Sequence, residues 1–229
     1  MRADTLNIDQ IRGLCFDVDG TLRDTDDQLE DQIFHWIRWL GKAIPEQKLK
    51  SFTRKLVMAI EDPGNFLLTA LDFLGIDDHL ATTGTFINDL GLMKPRNHSL
   101  VPGTLETLRA LKPHFQMAIV SARNQLVTQS FLDYFGLNEF FVCVVHGQSC
   151  RHTKPYPEPV LYAARQMGID PQACIMIGDT RVDVRAGKAA GAQTVAVLSG
   201  FGERDELEKS GANLILSSIA GLPAILLNK

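Results

Sequence analysis

The chain has 229 residues, of which 45% are hydrophobic and 22% are charged, and its net charge of -4 corresponds to a pI near 5.9. This size predicts one sizeable hydrophobic core with room for a smaller second unit. No dense Lys/Arg cluster and no apolar stretch of membrane-spanning length occur in the sequence, which argues against nucleic-acid and membrane partners and favours a cytoplasmic protein.

The first predicted strand, Leu14–Phe16, leads directly into Asp17 and Asp19 and then into Gly20 and Thr21. A short apolar run followed by acids and glycine is typical of a buried strand that ends in a loop. A turn at Gly20 can bring both carboxylates toward one site, where they can serve as nucleophile and proton shuttle or hold a metal. Taken alone, these residues are explained equally well by a turn without chemical function.

A long segment without a convincing strand follows these aspartates. Apolar residues recur in it at helical spacing, and Pro45 and Pro63-Gly64 separate the predicted helices. We predict an all-helical cap domain over residues 23–97, inserted into an α/β core domain formed by residues 1–22 and 98–229. Ligands of open α/β sheets bind outside the carboxyl ends of the strands, so a cap that begins beside the aspartates should cover the site.

After this insert, short apolar runs alternate with helical patterns. The runs are continuously apolar, as in parallel strands that helices cover on both faces, and the alternation predicts a Rossmann-like doubly wound parallel sheet. The later predicted strands are Met117–Val120, Phe141–Val145, Cys174–Ile177, Thr194–Leu198 and Leu214–Leu216. The predicted helices are Thr104–Leu111, Leu126–Phe135, Val160–Met167, Val182–Ala190 and Arg204–Lys209.

Polar residues follow three of these strands. Ser121 and the backbone N–H groups from Ala122 onward are able to hold an anion, although Ser121 alone is better explained as the N-cap of a helix. Lys154 lies in a proline-rich loop that should present it from a stiff backbone. Asp179 again stands directly after a strand, and Asp183 follows one helical turn later, where an acid also favours a helix N-terminus.

If these strand ends meet, four carboxylates share one pocket and cannot all ionise there without strong repulsion. A divalent cation would relieve the repulsion, and a set of hard oxygen ligands suits Mg²⁺. The cation, Lys154 and the loop amides would together form a receptor for a dianionic phosphoryl group. The four carboxylates are those of Asp17, Asp19, Asp179 and Asp183.

The ordered set of residues resembles the haloacid dehalogenase superfamily, in particular its phosphoglycolate-phosphatase-like group with a helical cap. That family combines Asp-x-Asp-x-Thr, a strand-end Ser or Thr, a Lys, and Gly-Asp-x-x-x-Asp. This chain carries the four parts in that order as Asp17 to Thr21, Ser121, Lys154, and Gly178 to Asp183, and Gly200-Phe201-Gly202 and Gly211 to Ile215 also match the group. Relatives with this cap usually carry Asn where Ala122 stands, so one polar contact near the site is missing.

The resemblance implies a Mg²⁺-dependent phosphatase that hydrolyses a small soluble phosphate monoester, phosphoglycolate-like or a sugar phosphate, through an aspartyl-phosphate. Asp17 would be the nucleophile and Asp19 the general acid and base. The Asp17 carboxylate, the Asp19 carbonyl and Asp179 would bind Mg²⁺, with Asp183 behind them. The catalytic residues would be Asp17, Asp19, Ser121 and Lys154, and the phosphoryl group would be bound by Gly20, Thr21, Ser121, Ala122 and Lys154.

Other activities are open at this point. An acid at position 19 favours phosphate-ester hydrolysis or phosphomutase chemistry, because dehalogenase members of the family lack it. A sugar phosphomutase would share every core residue, and a non-catalytic binding module would keep the fold without turnover. A phosphonate hydrolase would need a cap lysine, for which Lys42, Lys48, Lys50 and Lys55 are available.

We expect the partner to be a small phosphorylated metabolite, bound by a monomer or a homodimer. Cap residues that face the site would select the substrate, and Arg23, Asp24 and the loops around Asp62–Asn65 are candidates by their position.

Overall fold

The computed structural model describes residues 6–24 and 99–228. The chain divides into two units, residues 1–25 with 98–229 and residues 26–97, and all described residues belong to the first. Residues 25–97 of the predicted helical cap therefore lie outside the described residues, and the predicted boundaries of the two domains stay a prediction.

Six parallel strands form one sheet in the order β3-β2-β1-β4-β5-β6. This order is that of a Rossmann-like sheet, so the predicted fold class of the core is confirmed. After β3 the chain returns to the other side of β1, which places the topological switch point between β1 and β4. The strands are β1 Gly13–Phe16, β2 Gln116–Val120, β3 Cys143–Val145, β4 Cys174–Gly178, β5 Gln193–Val197 and β6 Leu214–Leu216.

Helices cover both faces of the sheet, as the continuously apolar strands predict. The helices are α1 Thr104–Leu111, α2 Gln125–Tyr134, α3 Glu158–Met167, α4 Arg181–Ala189, α5 Arg204–Lys209 and α6 Leu222–Leu226. Leu14 and Phe16 pack with α1, α2 and α6 on one face, while Cys15, whose side chain alternates with theirs, packs with α3 and α4 on the other. None of the helices in the described parts of the chain is long and apolar enough to cross a membrane.

The predicted elements agree with the observed ones to within two residues at each end. Strand β3 starts two residues later than predicted, because Phe141 belongs to the segment after a 3-10 turn and packs its ring edge-on against Phe16 at 6.2 Å between centroids. The sequence pattern does not predict α6 or the short 3-10 turns Ile8–Gln10, Asn138–Phe140, Pro171–Ala173 and Ile219–Gly221. These elements are too short to produce a periodic apolar pattern.

Candidate active site

The carboxyl ends of β1 and β4 bring Asp17 beside the segment that carries Asp179. Phe16 pairs with Ile177, and the Asp17 N–H donates to the Ile177 carbonyl at 2.9 Å, so the pairing continues to the last residue before the loop. Both aspartates are buried, at 7% and 1% exposure. The parallel register of two neighbouring strands is therefore what places these carboxylates together.

Lys154 joins two of the carboxylates by buried ion pairs. Its Nζ lies 2.7 Å from Oδ1 of Asp17 and 2.6 Å from Oδ1 of Asp183, and the side chains of all three residues are nearly inaccessible to solvent. Among the described residues, Oδ2 of Asp17 has no hydrogen-bond partner. Lys154 thus holds one oxygen of Asp17 and leaves the other available for chemistry.

Asp183 is held at both of its carboxylate oxygens. Oδ1 accepts from Lys154, and Oδ2 accepts from the backbone N–H of Thr180 at 3.0 Å and from its hydroxyl at 2.7 Å. The contacts with Thr180 cap the N-terminus of α4, as expected for an acid in a first helical turn. Asp183 therefore serves both as a helix cap and as a partner of Lys154.

The loop after β5 encloses Asp179. The Phe201 N–H donates to Oδ2 of Asp179 at 2.7 Å, and the Ser199 hydroxyl donates to the Gly20 carbonyl at 2.7 Å. A Cβ on Gly200 would lie 2.0 Å from Oδ2 of Asp179, and one on Gly20 would lie 2.3 Å from the same atom. Gly20 also has a φ of 72°, which favours glycine. Both glycines are required for this close approach of backbone to carboxylate.

Three acids form a cluster that fits a hard divalent cation. Asp17, Asp179 and Asp183 each offer one oxygen, and these oxygens all lie within 4.8 Å of one another. Burial raises the pKa of Asp17 to about 7, although Lys154 opposes the shift. Burial also raises the pKa of Asp179, and the charges of Asp183 and Asp17 add to that increase. Since oxygen ligands suit Mg²⁺ and a cation would relieve this repulsion, the residues present fit the metal that the sequence implies.

Burial lowers the pKa of Lys154, but the neighbouring carboxylates outweigh this effect and hold the pKa above its usual range. The ammonium group is therefore charged throughout the pH range in which the carboxylates titrate, and its charge is available to a phosphoryl group.

Asp19 does not join the cluster and is held by two arginines instead. Its Oδ2 accepts from Nε of Arg123, and its Oδ1 accepts from Nη1 of Arg23 at 3.2 Å. From the sequence, Arg23 was only a candidate for substrate selection by its position, and no function was predicted for Arg123. An arginine that directly follows a strand-end Ser-Ala was the signal available in the sequence.

Ser121 is buried at the end of β2, where its N–H donates to the Val145 carbonyl at 2.9 Å. Its hydroxyl oxygen accepts from the Arg123 N–H at 3.1 Å. The alternative that Ser121 is the N-cap of a helix is wrong, because the N-cap of α2 is Asn124, whose side chain accepts from the Val127 N–H at 3.0 Å. The hydroxyl of Ser121 is thus not required for capping.

Two of the predicted phosphate-binding residues follow β1 and β2, which are neighbours in the sheet. Ala122 is half-buried, and its carbonyl would lie 2.3 Å from a Cβ placed on Gly147, so the loop after β3 packs closely on it. The Thr21 hydroxyl is buried and has no hydrogen-bond partner among the described residues. The structure therefore brings Asp17, Lys154, Asp179 and Asp183 together and packs Gly20 against Asp179, whereas Thr21 follows β1 and Ser121 and Ala122 follow β2.

Comparison with known proteins agrees with this arrangement. A family model described as haloacid dehalogenase-like hydrolase matches residues 11–191. The chain is 29% identical to a protein named pyrophosphatase PpaX from Anoxybacillus flavithermus, over 94% of this chain and 97% of that protein. It is 30% identical to a phosphoglycolate phosphatase from Neisseria meningitidis, over 95% of this chain and 93% of that enzyme.

The fold is also similar to that of a solved structure. A haloacid dehalogenase-like protein of unknown function from Agrobacterium tumefaciens superposes with a TM-score of 0.67 at 19% identity, over 95% of this chain and 98% of that one. At this identity the likeness supports the fold alone.

Proposed function

This chain belongs to the haloacid dehalogenase-like hydrolase family, and from that premise we propose that it is a Mg²⁺-dependent phosphatase that hydrolyses a small phosphate monoester through an aspartyl-phosphate. The observation that carries the proposal is the buried Asp17 at the switch point of the sheet, with one oxygen held by Lys154 and the other without a partner among the described residues. The names of the two curated relatives support a small phosphorylated substrate.

In the first step, Oδ2 of Asp17 attacks phosphorus in line with the ester oxygen. The new O–P bond forms as the P–O bond to the leaving group breaks, and Asp19 donates a proton to the departing alkoxide. Lys154 fixes the orientation of Asp17 through the other carboxylate oxygen and remains close to the developing charge.

In the second step, Asp19 accepts a proton from a water molecule that attacks the phosphorus of the aspartyl-phosphate. The O–P bond to Asp17 breaks, inorganic phosphate leaves, and the free carboxylate returns. Each residue therefore ends the cycle in the protonation state in which it began.

The Mg²⁺ would be held by the Asp17 carboxylate, the Asp19 carbonyl and Asp179. Thr180 and Lys154 occupy both oxygens of Asp183. That acid would therefore not bind the cation itself, and would instead hold Lys154 and the start of α4 in position. When bound, the cation neutralises charge on the nucleophile and the phosphoryl oxygens.

The remaining phosphoryl contacts would come from strand ends around the acids. We assign them to the Thr21 and Ser121 hydroxyls, to backbone N–H groups at Gly20 and Ala122, and to the Lys154 ammonium. The buried Thr21 hydroxyl, unpartnered among the described residues, supports its place in this set. We also propose that residues 23–97 form a separate cap domain and that residues 1–22 and 98–229 form the core domain.

The test is turnover of a panel of phosphate esters by the purified protein. The panel contains phosphoglycolate, hexose 1-phosphates, pyrophosphate and p-nitrophenyl phosphate, each with Mg²⁺ and with EDTA. We expect Mg²⁺-dependent release of phosphate, abolished in Asp17→Asn, and acid-stable labelling of the protein at Asp17 by labelled substrate. Conversion of a hexose 1-phosphate to its isomer without phosphate release would show a phosphomutase instead. No Mg²⁺-dependent turnover of any ester would overturn the proposal.

A further inference from the structure

Both oxygens of the proposed acid and base, Asp19, are held by guanidinium groups from two separate segments. Arg123 follows β2 and donates to Oδ2, while Arg23 follows the first motif and donates to Oδ1. The exposed fractions of the side chains are 22% for Asp19, 15% for Arg123 and 8% for Arg23. These contacts are therefore largely shielded from solvent, unlike ion pairs between exposed side chains.

The backbone of Arg23 is itself anchored. Its N–H donates to the Val18 carbonyl at 2.8 Å, and its carbonyl accepts from the Gly20 N–H at 2.9 Å, which closes the turn that contains Asp19. Arg23 also forms an antiparallel bridge with Leu100, at the point where the chain returns to the core unit. The guanidinium of Arg23 thus extends from a segment that backbone hydrogen bonds fix on both sides.

The geometry of the two contacts leaves Asp19 able to move protons. Each carboxylate oxygen can accept more than one hydrogen bond, so one guanidinium N–H on each oxygen fixes the carboxylate without using all of its acceptor capacity. Two contacts on different oxygens also prevent rotation about the bond to the carboxyl group, which one contact would not.

We propose that Arg23 and Arg123 are positioning residues that orient the Asp19 carboxylate for both proton transfers. This inference rests on the proposed function, since it assigns Asp19 the acid and base chemistry. Displacement of a reacting group by about 1 Å can lower a rate by about a hundredfold, so two contacts that fix one carboxylate have a measurable effect on turnover. The competing possibility is that Arg123 binds an anionic group of the substrate directly.

A double-mutant cycle distinguishes these two functions. The variants are Arg23→Leu, Arg123→Leu and Asp19→Asn, alone and with each arginine change combined with Asp19→Asn, and Arg165→Leu on the exposed face of α3 controls for the loss of one positive charge. The measurement is the single-turnover release from phenyl phosphate of phenol, a poor leaving group that needs a proton from Asp19, and it reports attack by Asp17 without requiring the second step.

We expect each arginine change alone to slow this release by about tenfold to a hundredfold, with little change in KM. In the Asp19→Asn background the same changes should alter the rate less than about twofold, because the residue through which they act is gone. Arg165→Leu should match the unaltered protein. Slowing of equal size in both backgrounds, or a raised KM that persists with Asp19→Asn, would overturn the proposal.

A series of aryl phosphates gives a second measurement. Misplacement of Asp19 should make kcat/KM depend more steeply on the pKa of the leaving phenol, as Asp19→Asn does, and a merely structural function would not change this slope. If a leucine variant does not fold, Arg23→Lys and Arg123→Lys provide the same comparison with the charge retained. Absence of turnover in the unaltered protein would refute the proposed function, whereas turnover with additive arginine effects would refute only this inference.

Discussion

The acids of the site fall into two groups with opposite surroundings. The inner acids, Asp17, Asp179 and Asp183, are buried among one another with a single ammonium group between two of them. The outer acid, Asp19, is partly exposed and contacts two guanidinium groups. The inner acids therefore carry unbalanced negative charge, whereas cations outnumber the carboxylate at the outer acid.

This difference has a physical consequence for stability. Burial and mutual repulsion raise the pKa of Asp17 and Asp179, so the folded protein is less stable at neutral pH than it would be with neutral side chains there. Such strain is expected where a site is built to receive a cation and an anion from solution. The outer acid differs in its surroundings, because it is partly exposed and two guanidinium groups contact it.

Removal of the Lys154 ammonium group, which lies between two of the inner acids, should have the largest effect on stability. Lys154→Met leaves two buried carboxylates without their ion pairs, and breaking buried pairs of this kind costs about 3 kcal/mol of unfolding free energy. The loss should grow with pH: without Lys154 the pKa of Asp17 rises further, so the folded state favours the protonated acid and loses stability as pH rises. Urea unfolding at pH 5.5 and pH 8 in EDTA measures this.

Lys112→Met is the matched control for this change. Lys112 lies 3.0 Å from Glu139, but both side chains are substantially exposed, so its loss should cost about 1 kcal/mol or less and should not depend on pH in the same way. Equal losses for the two lysine variants would contradict the expectation that the buried ion pairs of Lys154 stabilise the fold more than an exposed pair does.

Crowding around Asp179 should have the next largest effect. In Gly200→Ala the new Cβ would lie 2.0 Å from Oδ2 of Asp179 and 2.6 Å from Cα of Gly20, so the loop after β5 must move. Such overpacking costs about 2 kcal/mol, and the displaced Phe201 N–H should also weaken Mg²⁺ binding. The measurements are urea unfolding and the Mg²⁺ concentration that gives half-maximal activity.

Gly221→Ala provides the comparison for that variant, because its nearest neighbour is the Leu216 side chain at 3.4 Å and its φ is -77°. This change should leave stability within about 0.5 kcal/mol and metal dependence unaltered. An unchanged metal requirement in Gly200→Ala would show that the loop after β5 does not hold Asp179 in its ligating position.

The sequence predicts two of the inner acids, Asp17 and Asp179, because they directly follow strands. Asp17 and Asp179 each follow an apolar strand, and the rule that parallel strands end at one edge brings them together without knowledge of any side-chain contact. The predicted sheet follows from the same continuously apolar runs. For Lys154 the sequence predicted only that prolines would present it from a stiff loop, and the structure brings its ammonium group against Asp17 and Asp183.

The outer contacts depend on features that a sequence pattern does not contain. Arg23 and Arg123 have long, flexible side chains, and their direction depends on a turn and on the return of the chain at Leu100, which is distant in sequence. The same holds for the Ser199 hydroxyl, which reaches the Gly20 carbonyl across 179 residues. The sequence shows Ala122 where relatives usually carry Asn, but it does not show that the neighbouring Arg123 contacts Asp19.

The smallest effect on stability should come from substitution of the two motif aspartates. We expect Asp17→Asn to stabilise the fold and Asp19→Asn not to do so. Asp17→Asn should abolish turnover but should raise the unfolding free energy by about 1 kcal/mol at pH 8 in EDTA, since it removes a buried charge that the surroundings disfavour. Because the pKa of Asp17 is raised to about 7, the unaltered protein gains stability as this group takes up a proton, and the difference should therefore shrink toward pH 5.

Asp19→Asn removes two ion pairs and should leave stability unchanged or slightly lower at pH 8. Thermal melts of the three proteins at both pH values measure this, and a stabilised Asp19→Asn would show that the guanidinium groups do not balance the outer charge.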